Sequence, residues 1–357
     1  MRYRESGVDL ELGERCSRVM YEAAVATFAN RKGRFGEPLI ERGGFSGPVY
    51  IQELKDAYIL KNSDGVGTKV EIAQLMDKHD TVACDLLAMV CDDAAAMGAE
   101  PFAVTDTLNV RRLCLELVEQ LASGLVRAAQ AARVAVVGGE IAELGEQLNT
   151  EYIWDADCLA VLEQGKGPKR DAIKPGDRIV ALRSAGFRSN GFSLLRRILK
   201  GKFGPRWVDR PYDSKLSWGE VALTPSLIYT PLLVDLFGGY HEEPRAAVKG
   251  AAHITGGGVP GNLPRVLPQG LGAYIDLEPH EPMLHLQELG RVDDREAYRV
   301  WNMGAGVLLI ANDDRVFALA EEYGIEAQKV GEVTGKPVIR IRNRGYFGEP
   351  KELIYER

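Results

Sequence analysis

Apolar positions along the first half of the chain switch between the spacing of a strand and the spacing of a helix. Residues 57–63 favour a strand, which runs into a glycine-bearing loop at 64–69 that opens a helical pattern. A second helix is predicted to start at 79–81 and to continue through the apolar run that follows, with Asp80 as its cap and Gly98 as its stop. The predicted order is strand, loop, helix, helix.

The alternation of strands and helices continues after this second helix. An extended segment at 101–110 comes next, and a helix over 114–131 leads into a short buried strand at 134–137. That strand is predicted to end on Gly138-Gly139-Glu140. Alternating elements of this kind are typical of an α/β fold, in which helices cover a sheet.

A charged stretch rich in glycine and proline interrupts the pattern near the middle of the chain. It covers 165–170 and favours a boundary between domains. We therefore predict an N-terminal domain of residues 1–165 and a C-terminal domain of residues 166–357. The elements predicted for the second half are a strand at 178–184, a turn at 189–191, a helix after that turn, a helix after Thr224-Pro225, strands at 306–311, 327–333 and 338–343, and a helix over 314–323.

The composition suits a folded protein of two domains, since the 357 residues are 45% hydrophobic and 27% charged. A net charge of -7 provides no basic surface for a nucleic-acid backbone, so nucleic acid is not an expected partner. The N-terminal segment is polar and no apolar run approaches the roughly 18 residues of a membrane span, so we expect a cytoplasmic protein. Its odd number of cysteines, without a Cys-x-x-Cys pair, predicts reduced thiols.

The loop at 64–69, Asp-Gly-Val-Gly-Thr-Lys, combines a carboxylate, two glycines, a hydroxyl and an amine at the start of a predicted helix. Glycines let backbone N–H groups approach phosphate oxygens, and Lys69 can supply a compensating positive charge. The spacing is not that of a P-loop, because G-x-x-x-x-G-K-[ST] is absent. Taken alone, the segment is either a phosphate-binding turn or an ordinary tight turn.

Two adjacent carboxylates, Asp92 and Asp93, lie in a predicted helix that is otherwise apolar, with Asp85 close to the same face. Because unpaired burial would be costly, they either face solvent or are held by a cation, for which Mg²⁺ is suited, and Asp64 adds weight to a metal site. Glu140 follows a predicted buried strand, where open α/β sheets bind their ligands, although a simple turn carboxylate is the alternative.

Two further turns, at 189–191 and 255–258, are rich in hydroxyl, amide and bare backbone N–H groups. They suit a phosphorylated or ribosyl ligand, but Asn-Gly is also a common tight turn and Gly-Gly-Gly a flexible connector. His253 precedes these glycines, and a lone histidine is more often structural than catalytic. Cys84 and Cys91 are seven residues apart on an apolar helix and are interpreted as core residues.

Taken in order, these motifs resemble the phosphoribosylformylglycinamidine cyclo-ligase family, from residue 3 to about residue 340. The most specific combination is Asp-Gly-Val-Gly-Thr-Lys at 64–69 with Thr-Gly-Gly-Gly at 255–258 and Asn-x-Pro-Arg from Asn262. The other matching motifs are Tyr3 to Asp9, Gly43-Gly44-Phe45, His79-Asp80-Thr81, 85–89, Asp93, 98–101, 138–140, 189–194, 253–258, 262–268, Tyr298-Arg299 and Asn302-x-Gly304-x-Gly306.

The resemblance implies a two-domain α/β fold of the aminoimidazole ribonucleotide synthetase type, in a homodimer whose N-terminal sheets pair into a barrel. It also implies ATP-dependent cyclisation of formylglycinamidine ribonucleotide to aminoimidazole ribonucleotide, in purine biosynthesis. In such enzymes ATP phosphorylates an amide oxygen, and a neighbouring amidine nitrogen displaces the phosphate, so positioning supplies much of the rate. ATP, Mg²⁺, the ribonucleotide and a second copy of the chain are therefore the expected cofactors and partners.

The resemblance also implies roles for particular residues. Asp64 and Asp93 are expected to ligate Mg²⁺, and the candidate catalytic residues are Lys69, Glu140 and His253. The residues expected to bind ATP are Gly65, Gly67, Thr68, Lys69, Asp80, Gly138 and Gly139. The residues expected near the ribonucleotide are Arg188, Ser189, Asn190, Gly191, Thr255, Gly256, Gly257, Gly258 and Asn262.

Three places depart from the family pattern. Arg188, a permanent cation, stands where the family usually has histidine. Residues 141–146 read Ile-Ala-Glu-Leu-Gly-Glu instead of Thr-Ala-Glu-Met-Pro-Gly, and a family glycine is replaced within 154–157. Such changes mark either drift, which we favour because the nucleotide motifs persist, or a relative with another substrate.

Two alternatives compete with the cyclo-ligase interpretation. One is another ATP-using member of the same superfamily, such as a small-molecule kinase or an amide-activating enzyme. The other is a catalytically silent nucleotide-binding subunit, which would require lost catalytic residues. Asp64, Lys69, Asp93 and Glu140 are all present, which favours an enzyme.

Overall fold

The computed structural model describes residues 9–39 and 47–356, in which helices and strands alternate. Tyr3 and the Gly43-Gly44-Phe45 turn, which carry part of the family resemblance, lie outside these residues. Within 9–39 and 47–356, no helix has the length and apolar character needed to cross a membrane.

The helices and strands are numbered in chain order. The helices are α1 (Leu10–Thr27), α2 (Val70–Met76), α3 (Val82–Ala96), α4 (Leu115–Ala132), α5 (Phe192–Phe203), α6 (Trp218–Leu223), α7 (Thr230–Phe237), α8 (Gly258–Asn262), α9 (Glu281–Gly290), α10 (Asp294–Val300) and α11 (Arg315–Glu322). The strands are β1 (Glu37–Pro38), β2 (Val49–Tyr50), β3 (Ala57–Gly65), β4 (Glu100–Val110), β5 (Ala135–Glu143), β6 (Tyr152–Glu163), β7 (Arg178–Arg183), β8 (Gly250–His253), β9 (Gly272–Ile275), β10 (Ala305–Ile310), β11 (Ala327–Thr334), β12 (Val338–Arg342) and β13 (Glu352–Glu356).

The first sheet contains four strands in the order β3-β6-β4-β5. β6 pairs antiparallel with β3 and β4, and β4 pairs in parallel with β5. Along β6, Trp154 and Ala156 are buried while Ile153 and Asp155 are exposed. Because successive side chains of a strand point to opposite faces, one face of the sheet packs against α3, and the other is open around Ile153 and Asp155 but buried at Val161, further along β6.

The second sheet contains seven strands in the order β13-β12-β9-β11-β7-β10-β8. Its strand β10, with the sequence AGVLLI, is buried along its whole length. Val307 and Leu309 belong to the buried cluster that includes residues of α7 and α11, whereas Leu308 and Ile310 belong to the larger cluster that includes residues of α5 and α9. A strand covered on both faces has no polar side, which explains its continuous apolar sequence.

Helix α3 lies between the two sheets and positions the candidate site. It packs against β3 and β6 of the first sheet, and against α7 and β8 of the second half of the chain. Almost all of its residues are buried, and these include Asp85 and Asp92. Since a buried carboxylate needs a partner, the elements around α3 must supply one for each.

Much of the predicted pattern is confirmed in the first half. α3 and α4 cover the predicted helices, and β3 and β4 cover the predicted strands. Gly98 follows α3 with a φ angle of 82°, a left-handed conformation that glycine adopts without strain and that ends the helix.

The predicted cap of α3 is wrong. The residue that precedes the helix is Thr81, which makes no side-chain cap hydrogen bond. The carboxylate of Asp80 instead accepts a hydrogen bond at 3.0 Å from the guanidinium of Arg127 on α4. An exposed arginine on the neighbouring helix therefore draws Asp80 away from the helix terminus.

The predicted end of the strand at Gly138 is also wrong. β5 continues through 138–140, because these residues pair in parallel with 105–107 of β4. Glu140 is therefore an exposed residue within a strand, and it neither ends a strand nor lies in a turn.

Two features of the second half refine the predictions. The helix predicted after Thr224-Pro225 is α7, which begins at Thr230 because the polar groups of 224–229 bind buried side chains of the first half instead of forming helical hydrogen bonds. Residues 352–356, beyond the last predicted strand, form β13, which pairs antiparallel with β12. The C-terminal segment is thus part of the second sheet.

Candidate active site

Lys69 ends the Asp64–Lys69 loop, and its side chain is completely buried. Its Nζ donates hydrogen bonds to Oδ1 of Asp85 at 2.8 Å and to the carbonyl oxygen of Thr224 at 2.6 Å. Burial lowers the pKa of Lys69, and the charge of Asp85 opposes that shift. The amine predicted to meet a nucleotide therefore lies inside the protein, where it ties the loop to α3.

A second buried ion pair forms two turns further along α3. Oδ2 of Asp92 accepts a hydrogen bond from Nη2 of Arg188 at 3.2 Å. Its Oδ1 accepts from the backbone N–H of Tyr229 and from Oγ1 of Thr230, both at 2.8 Å. Burial raises the pKa of Asp92, and Arg188 opposes the shift. The cation that accompanies this buried carboxylate is thus an arginine of the second half.

Asp93 has a different environment from its neighbour. Its carboxylate is partly exposed, and Oδ1 lies 2.7 Å from Nδ1 of His253 on β8. Burial acts to raise the pKa of Asp93, but hydrogen bonds from His253 and Asn62 outweigh burial, and the net shift is downward. An ionised, accessible carboxylate is suited to bind a cation.

A cavity of about 370 Å³ opens beside Asp93 and His253. Its lining also includes Thr255, Asn262 and Arg265 of the second half. The cavity therefore brings together residues predicted for the metal, for catalysis and for the ribonucleotide.

The glycine loop on the wall of this cavity is held by Asn262. Its Nδ2 donates to the carbonyl oxygens of Thr255, Gly256 and Gly258 at 3.4, 3.1 and 2.9 Å. Gly258 has a φ angle of 59°, and a Cβ atom there would overlap the carbonyl oxygen of Tyr298. Only glycine fits such a close approach of two backbones.

The Ser189-Asn190-Gly191 turn lies between α3 and this glycine loop. Oγ of Ser189 donates to Oδ1 of Asp85 at 3.4 Å, and Nδ2 of Asn190 faces the sulfur of Met89 at 3.9 Å. A Cβ atom built on Gly256 would lie 3.4 Å from Oδ1 of Asn190, so the two predicted substrate turns adjoin. Gly257, with a φ angle of 95°, precedes α8 in the same loop.

The end of β3 brings Asp64 close enough to Asp93 for their charges to interact. Burial raises the pKa of Asp64, and the negative charge of Asp93 adds to the shift. Gly65 lines an opening of about 270 Å³ together with Asp64, and Gly67 and Thr68 beside it are exposed. The first part of the predicted phosphate-binding loop is therefore accessible, in contrast to Lys69.

The residues of this site fit a Mg²⁺ ion to which the protein supplies only a few ligands. Within the described ranges, no group of three or more His, Cys, Asp or Glu side chains is arranged to hold a metal ion. Asp64 and Asp93 nevertheless supply two oxygen donors whose mutual repulsion a cation would relieve. Because Mg²⁺ is commonly held by one or two carboxylates together with phosphates and waters, two carboxylates suffice in a nucleotide site.

Gly138, Gly139 and Glu140 line another cavity, of about 530 Å³, between β5 and α1. It contains a carboxylate that the sequence analysis missed, Asp106, whose Oδ2 accepts a hydrogen bond from Nε1 of Trp154 at 2.7 Å. Burial raises the pKa of Asp106 to about 6. The sequence of β4 could have identified Asp106, because the alternation of buried and exposed residues places this carboxylate at an inward position of the strand.

Family models and curated relatives match the chain across both halves. Models described as AIR synthase related protein, N-terminal domain and C-terminal domain, match residues 49–161 and 174–343. A phosphoribosylformylglycinamidine cyclo-ligase of Sorangium cellulosum is 35% identical, over 97% of this chain and 99% of its own length. The chain belongs to the phosphoribosylformylglycinamidine cyclo-ligase family. A cyclo-ligase of Thermococcus kodakarensis is 33% identical, over 96% of this chain and 98% of its own length. The resemblance found in the motifs is confirmed.

Solved structures share the fold of this cyclo-ligase family member at lower identity. Escherichia coli HypE has a TM-score of 0.59 and 15% identity, over 96% of each chain. The thiamine-monophosphate kinase of Stenotrophomonas maltophilia has a TM-score of 0.58 and 16% identity, over 90% of this chain and 96% of its own. Thermotoga maritima PurL in complex with FGAR has a TM-score of 0.54 and 18% identity, over 82% of this chain and 44% of its own, so this chain spans less than half of PurL. The predicted α/β fold is confirmed.

Proposed function

We propose that this chain is a phosphoribosylformylglycinamidine cyclo-ligase, which converts formylglycinamidine ribonucleotide and ATP into aminoimidazole ribonucleotide, ADP and phosphate in purine biosynthesis. The observation that carries the proposal is the 35% identity to a curated enzyme of that name over 97% of the chain. A match of this length includes both halves of the chain, and therefore both walls of the cavity beside Asp93 and His253.

The proposed reaction forms one carbon–nitrogen bond. The γ-phosphoryl group of ATP is transferred to the formyl oxygen of the substrate, and ADP leaves. The amidine nitrogen that carries the ribose then attacks the formyl carbon, the phosphate departs with the oxygen, and a proton is lost as the imidazole ring closes. The protein contributes mainly by holding the two reacting ends together and by stabilising charge on the phosphoryl group.

The nucleotide is proposed to bind at the end of β3. Asp64 and Asp93 would hold Mg²⁺, which when bound neutralises charge on the phosphates of ATP. Lys69 is proposed to support the phosphate-binding loop from inside, through its buried ion pair with Asp85. The further residues proposed for ATP are Gly65, Gly67, Thr68, Asp80, Gly138 and Gly139, with Glu140 as a catalytic group on the nucleotide side.

The ribonucleotide is proposed to bind in the cavity beside Asp93. His253 is the candidate for handling a proton there, because it is the histidine in that lining. Backbone N–H groups and hydroxyls of the adjoining turns suit a ribose phosphate. The residues proposed for this role are Ser189, Asn190, Gly191, Thr255, Gly256, Gly257, Gly258 and Asn262, with Arg188 behind them.

We also propose a homodimer, in which the open face of the first sheet pairs with its copy to form a barrel. This face exposes the apolar side chains of Ile59 and Ile153 next to polar ones. These exposed apolar side chains would be covered if a second copy of the sheet packed against this face. Light scattering on the eluting peak of a sizing column should give the mass of two chains, and a stable single chain at micromolar concentration would refute the dimer.

The N-terminal domain is proposed to comprise residues 1–165 and the C-terminal domain residues 166–357, with the active site between them. A cytoplasmic location is proposed for the enzyme, since its proposed substrates are intracellular metabolites. Cell fractionation that recovers the protein with membranes or outside the cell would contradict this location.

The function is tested by incubating purified protein with ATP, Mg²⁺ and formylglycinamidine ribonucleotide. ADP and aminoimidazole ribonucleotide should appear in equal amounts. ADP release that requires a different phosphorylated acceptor would move the function to another member of the superfamily. No ADP with any acceptor, despite nucleotide binding, would leave a non-catalytic nucleotide-binding subunit.

A further inference from the structure

Arg188, His253 and Asp93 form a chain of hydrogen bonds from the protein interior to the cavity. Nη2 of Arg188 lies 2.8 Å from Nε2 of His253, and Nδ1 of His253 lies 2.7 Å from Oδ1 of Asp93. We propose that Arg188 is a positioning residue, which fixes His253 in the tautomer protonated at Nδ1 and thereby orients the carboxylate of Asp93 toward the cavity.

The tautomer follows from the chemistry of the two neighbours. A guanidinium group has only donors, so a ring nitrogen that faces it must accept and carries no proton. The proton of the imidazole then resides on Nδ1, where the carboxylate of Asp93 accepts it. The donor on one side and the acceptor on the other therefore select the same tautomer of His253.

Arg188 is held rigidly enough to impose this choice. Its side chain is 1% exposed, its φ angle is 60°, and its guanidinium lies 4.8 Å from the centre of the Tyr229 ring. The same Nη2 donates to Asp92, whereas Nε and Nη1 have no hydrogen-bond partner among the described residues. The hydrogen bonds of this buried cation are therefore concentrated on Asp92 and His253.

A direct contact between Arg188 and the ribonucleotide is the competing role. Arg188 is absent from the lining of the cavity, whereas His253 and Asp93 belong to it. To reach a phosphate there, the guanidinium would have to leave Asp92 buried without a counter-charge, which is strongly unfavourable. The geometry thus favours action through His253.

The expected effect on Mg²⁺ binding rests on the proposed function, whereas the proposed tautomer of His253 does not. Hydrogen bonds behind a metal-binding side chain orient it, and losing them typically weakens metal affinity about 10–100-fold. Asp93 receives its hydrogen bond from a ring that Arg188 fixes on the opposite side. Removal of Arg188 should therefore weaken Mg²⁺ binding even though Arg188 does not line the cavity.

Nitrogen-15 NMR of the imidazole rings in the full chain tests the tautomer directly. The chain contains 5 histidines, and a His253→Gln variant identifies the signals of His253 by their loss. At a pH above about 8, where an ordinary imidazole is neutral, His253 should show a protonated Nδ1 and an unprotonated Nε2. A protonated Nε2 in the wild-type protein would overturn the proposal.

Variants of two arginines separate positioning from general stability. Arg31 is as buried as Arg188 and pairs with Glu100 at 2.8 Å, so Arg31→Met is a matched loss of a buried ion pair away from His253. Only Arg188→Met should shift the Nε2 resonance of His253, and it should weaken Mg²⁺ binding in the presence of a non-hydrolysable ATP analogue about tenfold. Arg188→Lys retains a cationic donor, so its His253 Nε2 resonance and its Mg²⁺ affinity should lie between those of Arg188→Met and the wild type. This variant should also fold more readily than Arg188→Met.

Kinetics distinguish the remaining outcomes. Positioning predicts that Arg188→Lys raises the Mg²⁺ concentration for half-maximal activity and leaves the KM for formylglycinamidine ribonucleotide unchanged. A raised KM for the ribonucleotide with an unchanged Mg²⁺ requirement would instead make Arg188 a substrate contact and overturn the proposal. Equal behaviour of the Arg188 and Arg31 variants in the NMR and Mg²⁺ experiments would also overturn it. Neither of these experiments requires turnover, so they stay interpretable if the proposed reaction fails.

Discussion

Lys69 and Asp85 form a fully buried ion pair, with 2.8 Å between Nζ and Oδ1. The pair connects the loop after β3 to α3, and the hydrogen bond from Lys69 to the carbonyl oxygen of Thr224 extends the connection to the second half of the chain. A lysine in a phosphate-binding motif would ordinarily be assigned to the phosphate. Here its charge is neutralised inside the protein, and the loop is what reaches the surface.

Replacing Lys69 with methionine should destabilise the protein by about 3–5 kcal/mol, because Asp85 would remain buried without a counter-charge. Urea denaturation measures the loss. Lys61→Met is the matched control, since Lys61 pairs with Asp157 at 3.2 Å with a side chain that is 64% exposed, and an exposed pair contributes at most about 1 kcal/mol. Equal denaturation midpoints for the two variants would contradict a structural role for the buried pair.

The carboxylate of Asp106 should make stability depend on pH. Burial raises its pKa to about 6 in the folded protein, so its protonated form is favoured there. The contribution of protonated Asp106 to the free energy of unfolding is fully present below about pH 4 and is lost as the pH rises through 6. Between pH 4 and pH 7, the free energy of unfolding of Asp106→Asn should therefore rise by about 3 kcal/mol relative to that of the wild type. Urea denaturation across that pH range measures the difference. Parallel stability curves for the two proteins would show that the pKa of Asp106 is not raised.

Local patterns along the sequence were sufficient to predict the elements that frame the site. The apolar run of α3 is too long for an ordinary strand and is ended by Gly98, and the strand before Asp64 follows from its β-branched and aromatic residues. The order of the motifs along the chain was sufficient to identify the family. These features depend on neighbours in sequence, which a single chain displays directly.

The partners of the buried charges could not be predicted in the same way. Asp92 meets Arg188 across 96 residues of sequence, and Lys69 meets Thr224 across 155. Only the packing of the second half against α3 decides between a metal, solvent and an arginine as the partner of Asp92. The strand that contains Glu140 was predicted to be too short for a related reason, because its length is set by pairing with β4.

Replacing Asp64 or Asp93 with asparagine should raise the Mg²⁺ concentration needed for half-maximal turnover by roughly tenfold or more, because each change removes a charged donor from a two-carboxylate site. Steady-state rates in a Mg²⁺ titration at fixed ATP give the constant. Asp314→Asn is the control, since Asp314 carries an 82% exposed side chain paired with Arg178. Full Mg²⁺-dependent turnover in both Asp64→Asn and Asp93→Asn would show that the metal binds elsewhere.

Alanine at Gly258 should disrupt the glycine loop on the wall of the cavity. Gly258 has a φ angle of 59°, and an added Cβ would overlap the carbonyl oxygen of Tyr298, so α8 would have to shift away from α10. Gly261→Ala is the matched control in the same helix, because a Cβ there meets nothing within 4 Å. The change at 261 should be neutral or stabilise by up to about 1 kcal/mol, while the change at 258 should destabilise by more than that.

The kinetic consequence of Gly258→Ala separates a substrate role from a purely structural one. The carbonyl oxygen of Gly258 accepts a hydrogen bond from Asn262 at 2.9 Å, and Asn262 also holds Thr255 and Gly256. A shift of α8 would therefore displace the cavity wall, and the KM for the ribonucleotide should rise with little change in the KM for ATP. If both KM values stayed at wild-type levels in a folded Gly258→Ala protein, the glycine loop would not bind the ribonucleotide, and its glycines would serve only the close packing of α8 against Tyr298.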